Sequence, residues 1–356
     1  MAPDDSVRFA IIGAGLIGPR HAKTVFQSKA ATLVAIVDPS PSGRILAEEL
    51  VVAYYESIAD LMTSPDRPDA AVICTPNHTH VPIAIEVSSH GIHVLIEKPL
   101  GVDIAEGEEL IKHIKPTKVK AIVGHHRRFN PYITTTRQIL DDGVLGKIIA
   151  INGLWMTYKP ADYFQAPAEW RTTKAGGVVL INMIHEVDIL HHLFGSITRV
   201  HAEKTEPHRG HEAEEGAALT FRFKSGIIGT FLLSDAAPSP YNFESGTGEN
   251  IMFPHTGQDF LRIFGSDGSL SVPDMTLWSY GTKPKSWTSE LMRENIDVSP
   301  SLPFEAQLDH FVRVIREEEE PSCTVQAGQA ALIVCQAIKD ALESNGTVEL
   351  PAYDLR

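Results

Sequence analysis

The chain has 356 residues, enough for one large domain or two medium ones. Hydrophobic residues make up 43% of it, which fills a core and argues against a disordered chain. Lys and Arg number 31 against 45 Asp and Glu, and a formal charge of −14 argues against a nucleic-acid or anionic-membrane protein.

Three cysteines, Cys74, Cys323 and Cys335, give neither a disulfide framework nor a CxxC pair. No apolar stretch reaches the roughly 18 residues of a transmembrane helix. The start, Met1–Ser6, is acidic and polar, unlike a signal or transit peptide, and the last four residues carry no lipidation or retention signal. A cytoplasmic protein is expected.

The first 125 residues alternate short apolar runs with amphipathic ones. Val7–Ile12, Leu33–Val37, Ala70–Cys74, His93–Ile96 and Val119–Val123 are strand candidates. Gly18–Ser28, Ser42–Val51, Val81–His90 and Ile104–Ile114 are helix candidates between them. Strands that are apolar throughout belong to a parallel sheet with helices on both faces, so a doubly wound α/β domain is predicted. After residue 125 the rhythm changes. Lys147–Tyr158, Arg199–Lys204, Gly216–Phe223, Gly226–Ser234, Phe260–Phe264 and Ser269–Val272 read as longer strands, several alternating with period two. Phe223–Gly226 and Gly265–Gly268 read as hairpin turns. These runs predict an open, mainly antiparallel sheet. Ile184–Leu193, Phe304–Glu319 and Thr324–Ser344 read as helices, and Asp235–Thr256 and Thr282–Ser301 as loops. The expected division is 1–125 for the first domain and 126–356 for the second.

Gly13-Ala14-Gly15-Leu16-Ile17-Gly18 follows the first strand and opens the first helix. In such a turn the glycines allow close backbone approach to a pyrophosphate, and the helix start supplies N–H donors. Asp38 stands 20 positions beyond Gly18, at the end of the second strand. Its carboxylate suits the adenosine ribose hydroxyls and repels a 2′-phosphate, which favours NAD; nearby Arg44 keeps NADP open.

Two further segments fall at strand ends, where ligands of open α/β sheets bind: Thr75-Pro76-Asn77 with His80, and Glu97-Lys98-Pro99. With these, His21-Ala22, Arg127-Arg128-Phe129, Trp170-Arg171 and Gly176-Gly177 leading to His185 and Asp188, the sequence resembles the Gfo/Idh/MocA oxidoreductases over nearly its whole length. The resemblance implies an N-terminal Rossmann domain and a C-terminal α/β domain for substrate binding and oligomerisation. It implies that Gly13, Gly15, Leu16, Ile17, Asp38, Thr75, Pro76, Asn77, His80, Glu97 and Lys98 contact the cofactor. Lys98 would be the principal catalytic residue, ahead of a cis Lys98–Pro99 peptide. A lysine can take the proton of a reacting hydroxyl or stabilise its alkoxide.

His185 is the second catalytic candidate. Many relatives carry a carboxylate four positions earlier, where this chain has Ile181, so an inositol-type proton relay is in doubt. Asn182, which follows, can hydrogen-bond a hydroxyl but is no base near neutral pH. Arg127, Tyr163, Trp170, Arg171, Asn182 and His185 are the substrate candidates. No metal is expected, because the clustered histidines lack chelating spacing.

The expected function is hydride transfer between NAD(P) and a hydroxyl or carbonyl carbon of a sugar, polyol or related small molecule by a homodimer or homotetramer. The alternatives are an NAD-dependent glycosidase or epimerase without net redox, and a non-catalytic nucleotide-sensing regulator.

Overall fold

The computed structural model describes residues 6–174 and 176–355. The acidic start before Ser6 and the final Arg356 lie outside the described residues. The chain forms two compact units, one of residues up to Phe129 with Ser301–Leu332 and the last three residues, the other of Asn130–Pro300 with Ile333–Tyr353.

In the first unit, strands β1 (Val7–Ile12), β2 (Ala31–Val37), β3 (Ala53–Tyr55), β4 (Ala70–Ile73), β5 (His93–Ile96) and β6 (Ala121–Val123) form one sheet in the order β3-β2-β1-β4-β5-β6. Every pairing is parallel. The apolar runs have a direct explanation, because alternate residues serve two different cores. Val7, Phe9, Ile11, Val72 and Leu95 join one cluster, while Ala10, Ile12, Ile73, Val94 and Ile96 join the other. Each such side chain gains about 1.5–3 kcal/mol from burial, so neither face tolerates polar residues.

Helices α1 (Gly18–Gln27), α2 (Pro41–Leu50), α3 (Ile58–Met62), α4 (His80–Ser89) and α5 (Ile104–Ile114) link these strands. Val25, Leu46 and Leu50 of α1 and α2 enter the first cluster; Leu61, Val81, Ala84, Val87 and Leu110 of the others enter the second. Ser57 and Asp103 cap α3 and α5 with side-chain oxygens.

The second unit holds β7 (Ile148–Met156), β8 (Ile197–Lys204), β9 (Gly216–Phe223), β10 (Ile228–Ser234), β11 (Leu261–Gly265), β12 (Gly268–Val272), β13 (Thr276–Ser279), β14 (Met292–Asn295) and β15 (Thr347–Glu349). They form a nine-stranded sheet in the order β14-β13-β12-β11-β7-β10-β9-β8-β15. Only β7 with β10 is parallel, so the sheet is mixed but mainly antiparallel. Both expected hairpin turns join antiparallel neighbours. Alternation survives because one face is buried: Phe231 and Leu233 point inward, Thr230 and Leu232 outward. Helices α6 (Pro131–Asp141), α7 (Ile184–Phe194) and α8 (Phe243–Thr247) belong to this unit. α7 is buried along nearly its whole length, and the Phe194 ring meets Phe223 of β9 edge-on, 5.8 Å between centroids.

The first unit also takes in chain from beyond residue 125. Helix α9 (Pro303–Ile315) belongs to the first unit, as do the first turns of α10 (Val325–Ser344). The reason is packing: Leu308, Phe311, Val312 and Val314 complete the cluster of Phe9 and Ile11, and the Phe9 and Phe311 rings lie 5.9 Å apart. The chain also folds where loops were expected, forming α8 within 235–256 and β14 within 282–301.

Candidate active site

The glycine turn lies between β1 and α1, beside the point where the strand order reverses from β1 to β4, the position where open α/β sheets bind ligands. Gly13 has φ +99°, and a Cβ there would meet the Cys74 carbonyl carbon at 2.7 Å. A Cβ on Gly18 would lie 2.1 Å from the Gly13 oxygen. These two glycines are needed by the turn itself. Gly15 differs: a Cβ there would meet nothing within 4 Å, and the adjoining Leu16 is 99% exposed. Gly15 thus leaves open space over the backbone. No side chain caps α1; Pro19 has no N–H and the Arg20 N–H donates to the Ile17 carbonyl at 3.0 Å, so the donors left at this end belong to the glycine turn and Gly18.

Asp38 is tied to the same turn. Its Oδ2 accepts from the Ala14 N–H at 2.6 Å, and its Oδ1 accepts from the Ser40 N–H at 2.7 Å and from the Ser40 hydroxyl. Arg44 is turned elsewhere, 5.0 Å over the Tyr54 ring and 3.6 Å from Glu56. An open backbone cradle, an uncapped helix start and a carboxylate at the end of β2 together fit a dinucleotide with unmodified ribose.

The segments after β4 and β5 meet through His80. This buried ring bridges the Thr75 and Pro99 carbonyls, each at 2.8 Å. Its pKa is lowered by burial, against the pull of both carbonyls. With both nitrogens facing carbonyl oxygens, to one of which the neutral ring donates, His80 braces the two loops instead of presenting a nitrogen to a ligand. Thr75 accepts from the Thr79 hydroxyl, while Pro76 and Asn77 are exposed. The Lys98–Pro99 peptide is cis, and Lys98 is partly exposed beside it.

Glu97 is 5% exposed, and its Oε1 lies 2.7 Å from His21 Nε2 of α1. Burial opposes its ionisation, but the His21 hydrogen bond and the charges of His21, Lys98 and His126 prevail and hold its pKa at about 2. Its Oε2 accepts the Lys98 N–H at 3.0 Å. Glu97 is thus a buried anion anchoring the backbone of Lys98. His21 had been visible only as part of a motif. Arg127 and Arg128 are both buried, and Arg128 donates to the Ser322 carbonyl, a tie to the fold.

In the second unit, a π-helical turn, Val179–Met183, leads directly into α7 and carries Asn182; His185, 7% exposed, follows in the first turn of α7. Such turns recur at functional sites. Ile181 lines a small pocket with Phe164, Arg171, Arg209 and Asp235. Arg171 stacks over the Tyr163 ring at 3.9 Å and donates to the Tyr163 carbonyl at 2.9 Å, with Trp170 at 5.8 Å. Tyr163, Trp170 and Arg171 are therefore one cluster. Asp188 is 1% exposed, inside the helix packing.

Sequence reasoning overlooked Lys159 and Asp235. Lys159 stands before Pro160 just past β7, the same Lys-Pro at a strand end as Lys98-Pro99, and that echo is the signal that could have found it. Among the described residues, no group of three His, Cys, Asp or Glu is arranged to hold a metal ion.

Residues 7–125 match the oxidoreductase family with NAD-binding Rossmann fold, and residues 137–350 match that family's C-terminal α/β domain. The chain belongs to this Gfo/Idh/MocA family. An inositol 2-dehydrogenase of Rhizobium meliloti (strain 1021) is 32% identical over 194 residues, 53% of this chain and 56% of that one. The chain thus matches just over half of that relative's length. A scyllo-inositol 2-dehydrogenase (NAD(+)) of Bacillus subtilis (strain 168) is 30% identical over 278 residues, 75% of this chain and 79% of that one. Among solved structures, the WlbA dehydrogenase from Bordetella pertussis, in complex with NADH and UDP-GlcNAcA, has the same fold, with TM-score 0.75 at 22% identity over 97% of this chain and 99% of that one. The chain carries the NAD-binding Rossmann domain of the Gfo/Idh/MocA oxidoreductase family. Among the described residues no helix is long and apolar enough to cross a membrane.

Proposed function

We propose that the protein is a dehydrogenase or reductase of a sugar, polyol or related small molecule, with Lys98 and His185 handling the proton. The observation that carries the reading is the convergence, at the carboxyl ends of β1, β2, β4 and β5, of an open glycine cradle, Asp38 and the anchored Lys98. The inositol dehydrogenases among its relatives support the substrate class.

Gly15, Leu16 and Ile17 would hold the pyrophosphate by backbone N–H groups. Gly13, whose own N–H donates to the Val37 carbonyl at 2.8 Å, would shape the turn. Asp38 would hold the adenosine ribose, and Thr75, Pro76, Asn77 and Lys98 the nicotinamide end. His80 and Glu97 would serve that end indirectly, by fixing the loops. When bound, the nicotinamide supplies the hydride acceptor or donor. The chain supplies the rest. Lys98 Nζ takes the hydroxyl proton or holds the alkoxide as negative charge builds on oxygen. His185 of the second unit is the other proton-handling candidate, without the carboxylate that Ile181 replaces. Arg127, Tyr163, Trp170, Arg171 and Asn182 orient the substrate.

The test is Lys98→Ala. Hydride transfer, followed as nicotinamide absorbance, is expected to fall about 10²–10⁴-fold while NAD affinity is retained within a few fold. Undiminished turnover would remove Lys98 from the chemistry.

The open face of the second unit's sheet suits a homodimer or homotetramer. Its cross-strand rows run Ala218, Leu232, Leu154 and Arg222, Ile228, Ala150, Phe264, a surface mixing apolar and polar groups. Leu232→Glu is expected to reduce the mass seen by light scattering; a wild-type monomer at micromolar concentration would contradict assembly. Three buried free thiols suit a reducing compartment, in keeping with the cytoplasm.

A further inference from the structure

Lys159 is 8% exposed, and no role assigned above uses it. A lysine is rarely buried without partners, because its ammonium gives up strong hydration. Here the partners are specific. Its Nζ lies 3.3 Å from Asp235 Oδ2 and donates to Asn182 Oδ1 at 2.6 Å. The ring faces of Tyr163 and Trp155 lie 4.7 and 5.5 Å away. Asp235 is shared, since its Oδ1 also accepts from Arg209 Nη1 at 2.6 Å. The backbone fixes the pair as well: the Lys159 N–H donates to the Asp235 carbonyl at 2.9 Å, beyond the ends of the parallel strands β7 and β10. Burial lowers the pKa of the ammonium, against the attraction of Asp235.

The contact with Asn182 sets a polarity. An ammonium has three donors and no acceptor, so the Asn182 atom facing it must be the carbonyl oxygen. The Asn182 NH2 group is then turned to the opposite side, with a cation polarising its carbonyl end. Asn182 is only half-buried, whereas Lys159 is enclosed. What this turn offers to a ligand is therefore a pair of N–H donors, three residues before His185.

We propose that Lys159 is a positioning residue that locks Asn182 as a hydrogen-bond donor, so that this subsite selects a substrate oxygen offering lone pairs. The proposal rests on the dehydrogenase reading and adds the sign of one subsite. Where many relatives place a carboxylate that accepts a hydroxyl proton, this chain has Ile181, and the next residue presents N–H groups. The oxygen bound there is a carbonyl, a carboxylate or a hydroxyl that gives its own proton elsewhere.

The experiment uses the full chain with NAD+ and a panel of myo-inositol, D-glucose and D-gluconate, taking the best substrate forward. Lys159→Met is expected to raise KM at least tenfold, with a smaller change in kcat and NAD affinity within twofold. Asn182→Ala is expected to match it, and the double variant to be no worse than either single one, since both remove the same bond. Lys159→Arg, which keeps a donor to Asn182, is expected to recover part of the KM. An unchanged KM with kcat and melting temperature falling together, or additive single effects, overturns the proposal. A readout without turnover is the Asn182 side-chain NH2 signal in asparagine-selective 15N-labelled protein, assigned with Asn182→Asp. It is expected to shift or broaden in Lys159→Met; an unmoved signal overturns the proposal whatever the enzyme turns over. Absence of NAD+ reduction by wild type across the panel, with that signal shifted as expected, counts against the dehydrogenase reading alone.

Discussion

On the proposed reading, the two units would hold a polar ligand in different ways. In the first, the recognising groups would be main-chain N–H groups of the turn, with open space above Gly15. In the second, they would be side chains, and a network of buried Lys159 and Asp235 with half-buried Arg209 and Asn182 sets their orientation. A backbone cradle depends on what is missing from it, and fails when something is added. A side-chain network depends on every member, and fails when one is removed.

The comparison can be broken at its most sensitive point with Asp235→Ala. That change leaves Lys159 and Arg209 without the carboxylate they share, and is expected to cost about 3–5 kcal/mol in denaturant unfolding. A loss under about 1 kcal/mol would mean that the network is not holding the second unit's site.

The first unit has one buried side-chain anion of its own, Glu97, and pH isolates it. Its folded pKa of about 2 lies below the ordinary value of 4.5, so its contribution to stability is full above pH 4.5 and is lost as pH falls through 2. The contribution is of the order of 3 kcal/mol. Thermal melts from pH 6 down to 2 are expected to decline less steeply for Glu97→Gln than for wild type. Parallel curves would show that His21 does not hold the carboxylate in its ionised form.

The smallest expected effect sharpens the contrast most. Gly15→Ala places a methyl group in open space, so stability should change by no more than about 0.5 kcal/mol. The same methyl stands where a pyrophosphate would approach, and NAD affinity is expected to fall about tenfold by calorimetry. Equal affinity in both proteins would mean that the nucleotide does not pass over Gly15.

The same contrast explains what could be read in the sequence. The glycine turn, Asp38 and the Lys98 loop are local patterns at the ends of apolar runs, and a linear reading finds them. The apolar runs themselves were legible because both cores of the first unit demand them. Helix α9 was seen as a helix, but its partner Phe9 lies some 300 positions away, and no local signal assigns it to the first unit. The Lys159 network was not legible either. It joins positions 159, 182, 209 and 235 from four separate segments, and only the register of β7 with β10 brings Lys159 to Asp235. Asp235 stood at the start of an expected loop. Asn182 was identified, but the direction of its amide is set by a neighbour that sequence did not place. The short pieces β3, α3 and β15 escaped notice because three to five residues carry too little periodicity.

Cys74 lies directly beneath the cradle, its carbonyl carbon against Gly13 and the residue 6% exposed. Burial, and then the charge of Glu97, push its thiol pKa well up. A thiol reagent needs both access and a thiolate, so it reacts only in moments when this floor opens. In a chain with Cys323 and Cys335 replaced by alanine, the labelling rate of Cys74 becomes a clock for local opening. A nucleotide that binds only the closed form slows that clock in proportion to its occupancy, so its affinity can be timed without any substrate.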